Sequence, residues 1–221
     1  MIPTAFDSRY IIELCLKSIQ RNTDYPDYQV IVCDNHTDES THNYLTELEQ
    51  KDEIRLVKTT DIERPKDDLV RAVDTDYYVL MHDDIMIKKR DWLTKRMLFM
   101  NKDPRNAIIG TIAYNFGNKE IKRFFPLGLL VKTEVSRQLD LKWGKQQNFD
   151  TGSLAYKKFF LQNEFKFIPY RVSSDIHHFS SMGWTKRKIL IEGSSPYLEE
   201  EIKKREMKIL KIRNILADNT Y

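Results

Sequence analysis

Polar residues directly follow two apolar, strand-like runs of the sequence. Residues 28–33 lead into Asp34 and Asn35, and residues 77–81 lead into 82–84, which read His-Asp-Asp. Carboxylate, amide and imidazole groups hold polar ligands through hydrogen bonds. In an open α/β sheet, ligands bind just beyond the carboxyl ends of the strands. The two clusters therefore predict a ligand site, and their alternative interpretation is a pair of ordinary turns.

The elements that must position these clusters alternate between strand-like and helix-like segments, which predicts a mainly parallel sheet flanked by helices. Strands are predicted at residues 1–4, 28–33, 54–57, 77–81, 107–114 and 124–132. Helices are predicted at residues 9–20, 40–50, 67–73, 91–101, 151–162 and 196–216. The last helix carries a narrow apolar stripe, so we expect it to pack onto the domain.

Composition restricts the class of protein. The chain has 221 residues, of which 41% are hydrophobic, and this is typical of one folded domain. A formal net charge of +3 implies no global field, so nucleic acid is neither demanded nor excluded. Cys15 and Cys33 lie in apolar runs, which indicates free thiols in a reducing compartment. The sequence has neither a membrane span nor a signal peptide, so we expect a cytoplasmic protein.

The opening of the chain resembles the family 2 glycosyltransferases, which have the GT-A fold. Residues 2–4 read Ile-Pro-Thr, residues 15–19 read Cys-Leu-Lys-Ser-Ile, and residues 30–40 run from Val-Ile-Val-Cys into Asp-Asn-His-Thr-Asp-Glu-Ser. The resemblance extends to Asp84, over a third of the chain, and is looser beyond Trp92. It implies a Rossmann-like α/β fold.

The resemblance also implies a division of the chain. Residues 1–195 would form the GT-A domain, in which about 1–100 bind a nucleotide-sugar and about 101–195 form the acceptor side. Residues 196–221 would form a C-terminal helix packed on that domain.

The resemblance further implies a uridine or thymidine diphosphate sugar as donor. Asp34 would accept the N3–H of uracil or thymine, a contact that cytosine cannot offer because its N3 is an acceptor. The other residues expected to bind the nucleotide-sugar are Thr4, Ala5, Phe6, Asn35, Asp67 and Asp68.

Residues 82–84 occupy the position of the family's D-x-D motif, which implies a Mn²⁺ or Mg²⁺ ion with Asp84 as ligand. The sequence departs from the motif because its first position is His82, and imidazole suits Mn²⁺ better than Mg²⁺. Either His82 joins the ligands, or Asp83 bonds the donor's ribose or sugar while Asp84 alone holds the metal.

Two later segments also resemble the family. Asp150 lies in a segment found beside the acceptor cleft, which implies the general base of an inverting transfer; a helix N-cap is the alternative. Residues 175–184 resemble an H-x-x-G-x-W-type segment whose His reaches back to the metal or diphosphate. We expect this residue to be His178 rather than His177, because neighbouring strand residues point to opposite faces.

The resemblance therefore implies transfer of a sugar, with inversion, to an acceptor hydroxyl of a glycan, a lipid-linked saccharide or a protein. A second hypothesis keeps the fold but places a modified DNA base in the acceptor cleft. A third is a catalytically inactive nucleotide-binding or assembly module, indicated by His82 at the first position of the D-x-D motif. The sugar, the acceptor and the oligomeric state stay open.

Overall fold

A computed structural model describes residues 1–4, 9–59, 61, 63–115, 118–145, 151–179 and 196–220. The first half contains β1 (Ile2–Thr4), α1 (Arg9–Arg21), β2 (Ile31–Asp34), α2 (Glu39–Gln50), β3 (Arg55–Lys58), α3 (Pro65–Arg71), β4 (Tyr77–Leu80), β5 (Ile85–Ile87) and α4 (Trp92–Met100). The second half contains β6 (Asn106–Asn115), β7 (Asn118–Lys132), α5 (Thr133–Gln138), α6 (Ser153–Phe160), β8 (Lys166–Pro169), a 3₁₀ turn (Val172–Ser174), β9 (Ile176–His178) and α7 (Pro196–Ala217).

The first three strands form a parallel sheet in the order β1-β2-β3. The β2 residues Ile31, Val32 and Cys33 are all buried, as expected for a parallel strand covered on both faces. In the register of this sheet Thr4 pairs with Asp34, so β1 and β2 end at the same edge. The parallel pairing thus places the predicted nucleotide-binding residues together.

The second sheet is mixed, with the order β4-β7-β6-β8. Strand β7 is antiparallel to β4 and to β6, whereas β8 is parallel to β6. Two hydrogen bonds connect β1 with β4: the amine of Met1 donates to the carbonyl of Val79 at 2.8 Å, and the amide of Met81 donates to the carbonyl of Met1 at 3.0 Å. Each antiparallel pair of the described residues therefore includes at least one strand of the second half.

A short antiparallel ladder joins β5, which the sequence did not predict, to β9, where the sequence analysis treated His177 and His178 as neighbouring strand residues. Ile85 pairs with His178, and Ile87 pairs with Ile176. The amide of Phe179 donates to the carbonyl of Asp84 at 2.9 Å, which extends the ladder beyond both strands. This ladder brings the segment after β4 against a segment about ninety residues later in the chain.

Helix α7 packs against α1, where Ile212 joins a buried cluster with Ile11, Leu14 and Phe179. The prediction of an apolar stripe is therefore consistent with the contacts of this helix. Among the helices of the described residues, none has the length and apolar character needed to cross a bilayer.

Helix α6 begins later than predicted. Its N-cap position is Gly152, so the prediction that Asp150 caps this helix is wrong. Gly152 has φ 79°, and a Cβ there would collide with the carbonyl oxygen of Phe124. Only glycine meets both demands, which explains why an Asp, Ser or Thr cap is not used.

Candidate metal and nucleotide site

His82, Asp84 and His178 lie together and form a candidate metal site. One ligand atom from each, a ring nitrogen or a carboxylate oxygen, lies within 4.8 Å of the others. Asp84 Oδ1 is 3.2 Å from Nε2 of His178 and 3.7 Å from Nδ1 of His82. Asp84 is 6% exposed, so its carboxylate faces these two rings rather than bulk water.

The β5–β9 ladder determines which histidine reaches this site. Because successive strand residues point to opposite faces, His177 and His178 cannot both reach the site, and it is His178, paired with Ile85, whose Nε2 lies 3.2 Å from Oδ1 of Asp84. The ring of His177 instead lies against Phe179, with ring centroids 4.6 Å apart. The structure thus brings His178, and not His177, to the candidate metal site.

The electrostatic surroundings keep the His82 ring neutral. Burial and the positive charge of Lys66 lower the pKa of His82 well below its usual value, with Asp84 acting in the opposite direction. Neutral imidazole is the form that ligates metal ions. Phe125 forms an apolar wall, with its ring centroid 5.4 Å from that of His82 and 5.9 Å from that of His178.

Two basic residues near this site were missed in the sequence analysis. Lys66 in α3 and Arg123 in β7 both lower the pKa of His82 through their positive charge. The guanidinium of Arg123 lies 5.2 Å from the ring centroid of Phe125. Neither residue belongs to a sequence motif. They come close to His82 only through the packing of α3 and β7. Together they bring two positive charges near His82.

Asp34 lies at the end of β2 and is held by three donors. Oδ1 accepts hydrogen bonds from the amide and hydroxyl of Thr37, at 3.1 and 2.8 Å. Oδ2 lies 2.7 Å from Nδ1 of His42, a residue of α2 that the sequence analysis did not single out. Burial alone would raise the pKa of Asp34, but the hydrogen bonds from His42 and Thr37 outweigh it and lower the pKa.

The other predicted residues of the first half hold neighbouring parts of the chain. Oδ1 of Asp67 accepts hydrogen bonds from the amides of Trp143 and Gly144, at 2.7 and 3.2 Å. Asp68 is 6% exposed and accepts a hydrogen bond from the Thr59 hydroxyl at 2.7 Å. These hydrogen bonds join α3 to the segment before residue 145 and to the residue after β3.

Three other predicted residues, Thr4, Asn35 and Asp83, are neighbours of Asp34 or Asp84 in the strand pairing or in the sequence. The buried hydroxyl of Thr4 donates to the carbonyl of Cys33 at 3.0 Å, and Asn35 follows Asp34 directly. Asp83 lies close to the thiol of Cys15, where burial and then the Asp83 carboxylate raise the pKa of that thiol. Asp83 therefore lies toward α1, and its neighbours in the sequence line the candidate metal site.

Three predicted site residues, Ala5, Phe6 and Asp150, lie outside the described residues, as does the Gly-Trp part of the late segment. The chain is described again from Thr151. The amide of Phe124 donates to the carbonyl of Gly152 at 3.3 Å, and the next residue, Phe125, contacts both histidine rings of the candidate metal site.

The fold and the site define a glycosyltransferase with a GT-A-type α/β domain. Residues 2–174 match the sequence profile of glycosyl transferase family 2. The chain belongs to this family. No curated protein sequence is significantly similar to the chain.

Solved structures share this fold at low sequence identity. The mannosyltransferase PcManGT from Pyrobaculum calidifontis, in complex with GDP-Man and Mn²⁺, has a TM-score of 0.63 and 17% identity over 94% of this chain and 68% of its own. TarS from S. aureus has a TM-score of 0.56 and 13% identity over 86% of this chain and 38% of its own. TarS 1-349 in complex with UDP has a TM-score of 0.58 and 13% identity over 86% of this chain and 63% of its own. At these identities the similarity shows the fold alone.

Proposed function

We propose that this glycosyltransferase moves a sugar from a uridine or thymidine diphosphate sugar to an acceptor hydroxyl, with inversion at the anomeric carbon. The observation that carries the proposal is the convergence of His82, Asp84 and His178 within 4.8 Å, beside the edge where β1 and β2 end. The acceptor is a glycan, a lipid-linked saccharide or a protein.

The three converging side chains suit a divalent cation. A carboxylate oxygen meets the demand of Mn²⁺ or Mg²⁺ for oxygen, and two imidazole nitrogens favour Mn²⁺. The lowered pKa of His82 keeps this ring available as a ligand at neutral pH. The bound ion would supply positive charge against the diphosphate of the donor and its developing charge. PcManGT, which shares the fold, was solved with Mn²⁺.

Lys66 and Arg123 support the same reaction through charge. A diphosphate leaving group gains negative charge as the bond to the sugar breaks, and fixed cations that face it favour that change. The two side chains belong to different elements, α3 and β7, and both act on His82. We assign them to the diphosphate side of the site.

Asp150 is the proposed general base, which takes the proton of the acceptor hydroxyl as its oxygen attacks the sugar. Two observations support this role. Gly152 occupies the N-cap position of α6, so Asp150 is not needed there. The chain two residues after Asp150 is hydrogen-bonded to β7 beside Phe125, which lines the candidate metal site.

Isothermal titration with uridine and thymidine diphosphate, with and without Mn²⁺, tests this proposal. We expect wild type to bind one of the two nucleotides in a Mn²⁺-dependent manner and Asp84→Ala to lose at least about a hundredfold in affinity. Asn43→Ala, exposed on α2, is the matched control. Wild-type protein that binds neither nucleotide under any metal condition would exclude the proposed donor.

A further inference from the structure

The hydrogen bonds around Asp34 lead to a role for two residues, Thr37 and His42, that the sequence analysis did not assign to the site. We propose that Thr37 and His42 select the nucleobase of the donor by limiting how many hydrogen bonds Asp34 accepts from it. The inference rests on the proposed function, because it assumes that Asp34 faces the base of a nucleoside diphosphate.

The acceptor capacity of Asp34 is almost fully used within the chain. An ionised carboxylate has about four lone-pair positions, two on each oxygen. The amide and the hydroxyl of Thr37 occupy both positions on Oδ1, at 3.1 and 2.8 Å. Nδ1 of His42 lies 2.7 Å from Oδ2, and it must donate because an ionised carboxylate has no proton to give. Counting the contacts between described residues, one acceptor position remains, and it lies on Oδ2.

The carboxylate is also prevented from turning. Its side chain is 10% exposed and is held from the loop after β2 and from α2. Helix α2 is itself anchored at its start, where Asp38 accepts a hydrogen bond from the amide of Thr41 at 3.1 Å and its carbonyl accepts one from the amide of His42 at 2.9 Å. His42 therefore reaches Oδ2 from a fixed helix.

A single free acceptor position on Oδ2 of Asp34 suits a base that presents one ring N–H, and it does not suit a base that presents two donors side by side. Uracil and thymine carry a single ring N–H at the edge that would face Asp34, and one acceptor satisfies it. Guanine presents a ring N–H and an amino group side by side, and a carboxylate satisfies both only with its two oxygens. Here Oδ1 is already filled by Thr37, so one guanine donor would be buried without an acceptor, which weakens binding.

Adenine and cytosine fail for a different reason. Each places an unprotonated ring nitrogen beside its amino group, and this lone pair would face the negative carboxylate. The negative charge of Asp34 therefore disfavours adenine and cytosine, and the donors from Thr37 and His42 disfavour guanine, which leaves uridine and thymidine nucleotides favoured. The fold by itself does not decide this, since PcManGT was solved with GDP-Man and TarS 1-349 with UDP.

The test compares uridine and guanosine diphosphate binding in the presence of Mn²⁺. We expect wild type to bind uridine diphosphate at least about tenfold more tightly. Thr37→Val frees one position on Oδ1 and should lower this ratio at least about fivefold, and Thr37→Val with His42→Leu should lower it further. His42→Asn retains an N–H donor near Nδ1, and Asn43→Ala changes an exposed neighbour, so both should keep the ratio within about twofold.

The ratio separates a role in selection from damage to the fold. A variant that merely distorts the site weakens both nucleotides alike and leaves the ratio unchanged, and thermal melts followed by circular dichroism identify unfolded variants. Equal affinities in wild type would overturn the inference while leaving the donor site intact, and so would a ratio that Thr37→Val and the double variant do not change. If wild type bound neither nucleotide, the proposed function itself would fail, and this inference with it.

Discussion

The two acidic positions of the candidate site, Asp34 and Asp84, differ in what surrounds them. Hydrogen-bond donors from Thr37 and His42 satisfy Asp34 from within a continuous stretch of nine residues. Asp84 instead faces His178, which arrives from a strand far away in the sequence. The first position is prepared by local structure to accept one more hydrogen bond, whereas the second depends on a tertiary contact. Changes in the second half of the chain should therefore disturb the proposed metal binding before they disturb the proposed recognition of the base.

The largest loss of stability is expected from a substitution of Asp175. This residue is 2% exposed and lies three residues before His178. Its Oδ2 accepts a hydrogen bond from the Tyr170 hydroxyl at 2.8 Å and lies 3.9 Å from the guanidinium of Arg96, which is 0% exposed. Asp175→Ala leaves Arg96 buried without its carboxylate, so we expect it to lower the free energy of unfolding by about 3 kcal/mol. Urea denaturation measures this loss.

The control for this variant is Ser174→Ala, which removes a hydroxyl that lies 3.0 Å from Oδ1 of Asp175 and 3.2 Å from the carbonyl oxygen of Arg171. We expect this control to cost about 1 kcal/mol or less. Equal losses of unfolding free energy in the two variants would mean that the buried pair of Asp175 and Arg96 does not hold β9 in place. The proposed difference between Asp34 and Asp84 would then be unsupported.

The next largest loss of stability is expected at Gly152, whose carbonyl accepts a hydrogen bond from the amide of Phe124 in β7. Gly152→Ala places a Cβ against the carbonyl of Phe124 at a residue whose φ is 79°, and we expect a loss of about 2 kcal/mol in the free energy of unfolding. Ser153→Ala, at the next residue, leaves this backbone conformation unchanged and serves as the control. Thermal melts of the two variants measure this difference, and similar melting temperatures would contradict the expected backbone strain at residue 152.

The smallest effect is expected at Asp34 and depends on pH. The pKa of Asp34 is lowered from an ordinary value of 3.8, so its hydrogen bonds stabilise the fold above that value and are lost as the pH falls through the lower, folded-state pKa. Asp34→Asn should therefore cost about 1 kcal/mol at pH 7 and progressively less below about pH 4. Urea denaturation at pH 7, 5 and 3 measures the difference. A cost that stays constant over this range would show that the charge of Asp34 does not matter.

Much of the first half was predictable from the sequence because its signals are local. The apolar run that contains β2 and the stripe of α1 both have enough residues to show a period, and the predicted bounds differ from the structure by a few residues. Asp34 and Asp84 were found because each directly follows such a run.

The second half was less predictable for physical reasons. Strands β5 and β9 have three residues each, too few to show an alternation of apolar and polar side chains, and their pairing is a tertiary contact. The contributions of Lys66, Arg123 and His42 depend on neighbours in other elements or on the far side of a turn. His178 was reached through the family resemblance, and strand alternation indicated only that one of the two adjacent histidines would face the site.

The most direct test of the account is a Mn²⁺ titration followed by electron paramagnetic resonance, on wild type, His178→Ala and His177→Ala. The two histidines are adjacent, but only His178 faces Asp84, 3.2 Å from its carboxylate, whereas His177 lies against Phe179. The account predicts one bound Mn²⁺ per chain, at least about tenfold weaker binding in His178→Ala, and unchanged binding in His177→Ala. Equal affinities in the two variants, or no Mn²⁺ bound by wild type, would contradict a metal site completed by the β5–β9 ladder.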